Sequence, residues 1–286
     1  MIDTLLTRRR KDTGRPVALV LGTNEIASAV AICLHRNGYG TILSHDPNPP
    51  VIRRGMAFHD ALFGDAAPVD GYTAICSERL IDLKREVLTN GRIAITPLEL
   101  CDLLVMGQIG VLADARMQKR RIMPDLRSLA QVTIGLGPGF VAGGNCDFAI
   151  ETWPARAGII VDEGATLQAD GVARKLGNVG AERFVYSASA GRWRTALSVG
   201  QRIFKGFPLG HLGNSIFAAP MDGILRGIAR DDTAVPAGVK LIEIDPRGRD
   251  AQWQGTDARG RAIAKAVLEA IGRRAGANVL RLVHPG

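Results

Sequence analysis

The sequence has few aromatics, no paired cysteines and no long uncharged apolar run. Only 14 of its 286 residues are Phe, Tyr or Trp, too few to interleave with a basic groove as a stacking platform for single-stranded nucleic acid. Cys33, Cys76, Cys101 and Cys146 stand singly, without the close pairs of a zinc site or redox dithiol, and each is expected as a small buried hydrophobe. The five histidines, His35, His45, His59, His211 and His284, are as dispersed. No HxH or HExxH brings two of them onto one ion, so no protein-ligated metal is expected. The longest weakly charged stretch, Ile93 to Ala113, carries Pro97, Glu99 and Asp102, which excludes a membrane span of about 20 apolar residues there. The opening MIDTLLTRRRKDTG puts its charges after a short apolar stretch, the reverse of a secretory signal. A cytoplasmic protein with no membrane partner is expected.

What is present is a moderately apolar, basic chain: 46% hydrophobic and 22% charged, with 36 Lys and Arg against 28 Asp and Glu. That hydrophobicity is too high for disorder, and the length suits two ordinary domains. The excess of +8 lies at the ends. Residues 1–16 hold a net +3 and residues 259–286 a net +5, while the body between is balanced. A nucleic-acid groove across the fold is therefore not indicated. Arg8-Arg9-Arg10-Lys11 reads as a solvated terminus, with contact to an acidic partner as the alternative.

Two textures follow one another along the chain. Residues 16–152 alternate short β-rich runs with helical stretches: PVALVLG, EIASAVAICLHRNG, TILSHD, then IAIT, PLELCDLLVMGQ, GVLADA and QVTIGL. This is the pattern of an α/β fold, a Rossmann-like parallel sheet covered by helices. Residues 182–250 place short strands between Gly and Asp turns, as a small all-β module does. Residues 1–15 form a basic tail, 153–181 a glycine-bearing linker or loop, and 251–286 a C-terminal helix with a basic tail.

Three groups of residues carry candidate chemistry. Gly22, Asn24 and Glu25 occupy the strand-to-helix turn where a GxGxxG fingerprint would aim backbone N–H groups at a pyrophosphate, and Asp46 ends the second strand where a ribose-binding acid would stand. Only the first glycine of the fingerprint is kept. Glu25 at the helix start favours the helix dipole and repels phosphate, so a nucleotide site and a nucleotide fold without nucleotide both stay open. The second group is Gly135, Gly137, Pro138, Gly139 and Phe140, with Asn145 and Glu151 beyond. These glycines permit close backbone approach to an anionic or planar ligand, or make a sharp surface turn. The third group is the paired basic segments, Arg53-Arg54 and Lys119-Arg120-Arg121, which follow strands of the same sheet and are expected at one edge with the glycine loop.

The stretches GTNEIASAVAICLHRNGYGTIL, PPVIRRGMAFHDALFGDAAPVDGYTA, VLADARMQKRR, IGLGPGFVAGGNCDFAIET, APMDGILRGI, GVKLIEIDPRG and AIAKAVLEAI resemble, in order and over nearly the whole chain, the YqeB-type family of selenium-dependent molybdenum cofactor or molybdenum hydroxylase accessory proteins. The resemblance implies a Rossmann-like domain, a role in maturing a client molybdenum hydroxylase, and a nucleotide or molybdopterin-type ligand. The sequence departs from the family pattern at Gly22-Thr23-Asn24-Glu25, at Trp153-Pro154-Ala155-Arg156 and at Ala264-Lys265-Ala266.

Residues 182–247 resemble biotinyl or lipoyl-type barrel-sandwich domains, through Ser187-Ala188-Ser189-Ala190-Gly191 and Ala218-Ala219-Pro220-Met221-Asp222-Gly223. The expected hairpin tip, Pro208 to Asn214, contains no lysine, so no covalent biotin or lipoate is expected; Lys205 and Lys240 read as surface charges. Two functions stand. One is an accessory factor for a molybdenum hydroxylase, binding a phosphorylated pterin or nucleotide ligand; the other is a non-catalytic scaffold that docks a client. Whether the protein is an enzyme, and whether it is a homo-oligomer, are not determined by the sequence.

Overall fold

The computed structural model describes residues 15–119 and 121–283, with side chains to residue 276. The basic tail Arg8–Lys11, Arg120 and His284 lie outside the described residues. The first unit is built on strands whose residues are nearly all buried: β1 (Val17–Leu21), β2 (Gly40–Ser44), β3 (Ala74–Cys76), β4 (Ile93–Thr96), β5 (Ile109–Asp114) and β6 (Val132–Leu136). Strands covered on both faces lose apolar–polar alternation and read as continuous aliphatic runs. That is why VALVL and VTIGL look as they do.

After β6 come β7 (Val141–Ala142), β8 (Phe148–Ile150), β9 (Ile160–Val161) and β10 (Gly164–Ala165). The main sheet has the order β3-β4-β2-β1-β5-β6-β8-β9. It is parallel except for β9, which runs antiparallel to β8. The segment expected as a linker thus supplies an edge strand, and its β10 forms a small ribbon with β7.

Helix α1 (Glu25–Arg36) covers one face of the sheet, with Ile26, Ala27, Val30 and Leu34 buried. The long α4 (Ala258–Val283) returns to the same face. Its Ile263, Val267 and Ala270 enter one core with Val20, Val30 and Ile134. Small residues allow the approach: a Cβ added at Gly260 would stand 3.1 Å from the Ala29 methyl. The C-terminal helix is therefore packed on the first unit. The opposite face carries the short helices α2 (Leu80–Lys84), which runs on into a π-helical turn at Arg85–Thr89, and α3 (Leu100–Leu104), and is closed by Leu83, Val87, Leu103, Leu126 and Phe140.

The second unit comprises β11 (Phe184–Tyr186), β12 (Gly191–Arg194), β13 (Arg202–Ile203), β14 (Pro208–Leu212), β15 (Ser215–Ala218), β16 (Gly223–Ile228), β17 (Thr233–Val235) and β18 (Lys240–Asp245). They form two four-stranded antiparallel sheets, β11-β18-β16-β13 and β15-β14-β12-β17. Trp193, Leu225, Ile228 and Ile242 fill the space between them. The hairpin between β14 and β15 turns at Gly213-Asn214, and Lys205 is exposed before it. Ile52 of the first unit packs into this core, and its carbonyl accepts the Ile228 N–H at 2.8 Å. Among the described residues no helix is long and apolar enough to cross a membrane.

Candidate functional site

The Gly22 turn is capped in part by its own chain. Gly22 has φ +104, and a Cβ there would lie 3.0 Å from the Ala115 carbonyl oxygen, so the position is set by the close exit of β5. Asn24 is the N-cap of α1: its Oδ1 accepts the N–H groups of Ile26 and Ala27 at 2.9 and 3.1 Å, and its Nδ2 donates to Ala115 O at 2.7 Å. Those first-turn N–H groups are the ones a phosphate would need. Asp46 is also occupied, accepting from Asn48 N at 2.8 Å and from Gln118 Nε2 at 2.7 Å. Side-chain capping has taken two of the first-turn donors that a bound phosphate would use.

The glycine loop expected as a pocket is filled by packing. A Cβ at Gly135 would meet the Phe140 ring at 2.1 Å, and Phe140 is buried over that strand. At Gly137, φ +88, it would meet Thr152 Oγ1 at 2.6 Å; at Gly139, φ +91, Met123 at 3.1 Å. Pro138 is buried. Asn145 closes the turn by accepting from Val141 N and donating to Gly139 O, both at 2.9 Å. Buried Glu151 accepts the Leu167 N–H at 2.9 Å. Here close approach serves the protein's own side chains.

The charges converge beside these turns. Arg53, after β2, donates Nε and Nη2 to the two Glu243 oxygens at 2.7 and 3.2 Å and Nη1 to Glu25 at 2.8 Å. It thereby ties the start of α1 to β18 of the second unit. Arg54 faces the other way and is taken up by Asp60 at 2.7 Å and the Ile228 carbonyl at 3.0 Å. Glu243 is fully buried and also meets Arg183 at 3.4 Å and Arg226 at 3.8 Å; Arg226 reaches Asp257 at 3.4 Å. Burial would raise the Glu243 carboxyl, but Arg53, Arg226 and Arg183 hold it down to about 2.

Around this knot lie cations with no ion pair. Lys119, Lys240 and Arg259 have no carboxylate at salt-bridge distance among the described residues; Arg259 Nε donates to the Thr152 carbonyl at 2.8 Å, and Lys240 Nζ sits 3.7 Å from the Phe184 ring centre. Burial, then Lys119 and Arg53, push the Lys240 ammonium down to about 8. Lys119 and Arg259 are lowered too, burial first, with Arg53 repelling both. Arg226 is 6% exposed, and its Nε has no hydrogen-bond partner among the described residues. Six cations, Arg53, Lys119, Arg183, Arg226, Lys240 and Arg259, meet three carboxylates, Glu25, Glu243 and Asp257, and Asp170 is matched by its own Arg174 at 2.5 Å. Asp245 is matched by its own Arg247 at 2.6 Å. Such an excess, partly removed from water, attracts an anion strongly.

Its place in the sheet is telling. The chain leaves β1 toward β2 on one side, while β5 lies on the other. Ligands of open α/β sheets enter at such a reversal, beyond the strands' carboxyl ends. Glu25 follows β1, Arg53 follows β2, Lys119 follows β5, and Arg259 joins the group to Thr152 beside the glycine loop. Of the expected site residues, Glu25, Arg53 and Lys119 are brought together. Gly22, Asn24, Asp46, Arg54 and the 135–151 group serve local structure. Arg183, Arg226, Lys240, Glu243 and Arg259 escaped sequence reasoning, and Lys240, expected at the surface, is half-buried. The available signal was an ionisable residue within an aliphatic strand, Arg226 in GILRGI and Glu243 in KLIEID, since such residues are seldom buried unless paired.

No family model matches the chain. Over 289 aligned residues it is 31% identical to "Uncharacterized protein YqeB" of Escherichia coli (strain K12), an alignment covering 99% of this chain and 50% of that protein. The chain thus spans about half the length of the curated relative it matches. Among solved structures, a succinylglutamatedesuccinylase/aspartoacylase from Rhodobacter sphaeroides aligns with 71% of this chain and 57% of its own, at 11% identity and a TM-score of 0.22.

Proposed function

Since the chain belongs to the YqeB-type family, we propose that it is an accessory factor in the maturation of a molybdenum hydroxylase-type enzyme, and that it holds a phosphorylated pterin or nucleotide at the junction of its two units. We read the first unit as Rossmann-like and the second as barrel-sandwich-like. The client role rests on the family resemblance. The anionic ligand rests on one observation: Lys119, Lys240 and Arg259 lack carboxylate partners among the described residues while surrounding an arginine cluster at the strand-order reversal.

In this reading the saturated arginines and the free cations divide the work. Arg53 and Glu243 fix the distance between the units; Lys119, Lys240 and Arg259 meet the ligand's phosphate, where a charged hydrogen bond is about twice as strong as a neutral one. Calorimetric titration with pyrophosphate, ATP and a molybdopterin-type cofactor tests it. Binding should weaken with salt and fall about tenfold in Lys119→Ala, with melting temperature unchanged, and about tenfold in Arg259→Gln, which also gives up the bond to the Thr152 carbonyl and lowers the melting temperature. Failure of all three ligands to bind would favour the second reading, a scaffold that docks a client. The side-chain capping at the Gly22 turn and the close packing of the glycine loop are what favour that reading.

A further inference from the structure

A second cleft, separate from the charged junction, opens on the other side of Arg53-Arg54. It has a volume of about 690 Å³ and is walled by both units. His45, directly after β2, and His59 line it together with Phe63, Arg54 and Arg230 from the two sides. The two imidazole rings are 5.2 Å apart between centroids. Both turn Nδ1 toward one hydroxyl: Thr23 Oγ1 lies 2.9 Å from His59 Nδ1 and 3.4 Å from His45 Nδ1. Thr23 is buried, as the residue after Gly22 at the exit of β1.

The charges around this cleft leave no demand for an ion. Arg54 is paired with Asp60, Arg230 with Asp65, and Asp232 with Arg192. Among the described residues no group of three His, Cys, Asp or Glu side chains is placed to hold a metal. Burial favours the neutral form of both histidines. Burial, then His45, Arg54 and Arg230, lower His59 to about 3, and burial lowers His45 as well.

A hydroxyl carries one hydrogen. If Thr23 donates it to one neutral imidazole, it can only accept an N–H from the other. The two rings then hold opposite tautomers whichever way the bond points, so one Nε2 is a donor and the other an acceptor. Phe63 adds a flat apolar surface: the residue is 51% exposed and stands edge-on to His59 at 5.5 Å, and the Arg230 guanidinium lies over one face of its ring, 4.5 Å from the centroid. We propose that this cleft is a binding site for a planar, uncharged heterocycle carrying a donor and an acceptor on one edge, read by the Nε2 atoms of His45 and His59 and stacked on Phe63. The volume is within the range of small-molecule sites.

The guanosine lactam edge is a suitable probe, and 1-methylguanosine, lacking the N–H donor, is its control. With ¹⁵N-labelled histidine, NMR of the free protein should show one Nδ1–H and one Nε2–H ring in this pair. Guanosine should shift both Nε2 signals, with 1-methylguanosine binding about tenfold more weakly, since a hydrogen-bonding site rejects a ligand lacking its partner group. Thr23→Val should equalise the tautomers and reduce guanosine binding about tenfold. Phe63→Ala, at an exposed position, should weaken both ligands while leaving the fold intact. Identical tautomers in the free protein, equal affinities for the two nucleosides, or no response of His45 and His59 to either would overturn the proposal. Pyrophosphate binding at the junction is measured separately, so the two sites fail independently.

Discussion

The glycine turns of the first unit and the charged junction beside them share one edge of the sheet but treat their polar groups in opposite ways. In the turns, donors and acceptors are matched by the backbone immediately around them: Asn24 caps α1 and reaches Ala115 at the exit of β5, Asn145 closes its own loop, and Thr152 and Phe140 fill the space that the glycines leave. At the junction, partners come from residues up to 190 positions apart, and the charges do not balance. Local satisfaction makes rigid corners. Long-range, incomplete satisfaction leaves affinity over for something else.

Four substitutions separate these behaviours. The largest effect is expected from Glu243→Gln, which leaves Arg53, Arg183 and Arg226 facing one another without their shared carboxylate. Removing one partner of a buried charged group costs about 3–5 kcal/mol, readable by urea unfolding. The pH dependence has a definite sign. Because the folded pKa of about 2 lies below the ordinary 4.5, the Glu243 contribution is complete above pH 4.5 and is lost as the pH falls toward 2. The acid limb of stability should flatten in Glu243→Gln; an unaltered limb would remove Glu243 from the centre of this account.

Gly135→Ala comes next. It drives a methyl into the Phe140 ring, and overpacking of this kind costs about 1–3 kcal/mol. Anion affinity of the folded protein should stay as it was, which a titration below the melting transition checks. If affinity disappeared while stability held, the loop would be a ligand site after all.

Lys240→Met should act in the opposite direction on stability. With a folded pKa of about 8 against the usual 10.5, the unfolded chain binds more protons between those values, so stability rises with pH across that window. Replacing the lysine removes this rise and should lift the melting temperature at pH 7 by roughly 1–3 °C, while weakening pyrophosphate binding. In the unsubstituted protein, binding should decline from pH 7 to 9 as Lys240 loses its proton. Smallest is Glu25→Gln: freeing Arg53 Nη1 and removing a negative charge from the helix start should tighten phosphate binding by about 0.3–1 kcal/mol, measured by calorimetry.

Much of the first unit was legible because its signals are local. Continuous aliphatic runs announced the parallel strands, and the sequence from Glu25 to Arg36 announced α1. The Asp245-Pro246-Arg247 segment is legible in hindsight as a short-range device: Asp245 accepts both the Arg247 N–H and its Nε at 3.1 and 2.9 Å. The junction was not legible. Glu243 reaches Arg226 only because β16 and β18 pair antiparallel with Gly227 opposite Glu243, and it reaches Arg53 only because Ile52 docks the two units together. The glycine loop is ambiguous in sequence for a related reason: a glycine kept clear for a ligand and one kept clear for Phe140 look alike until the neighbour is placed.

The return of α4 to α1 bears on how the chain reaches its fold during synthesis. Ile26, Ala27 and Val30 are covered by Ile263, Val267 and Ala270, so the apolar stripe of a helix made early must wait for more than two hundred further residues before its permanent cover arrives. Contacts so distant in sequence form slowly, and exposed apolar surface in the interval invites aggregation. A nascent chain halted after the second unit would carry a folded β module and an open stripe on α1. It should therefore bind a holdase chaperone, and it should let go once the residues of α4 clear the ribosome.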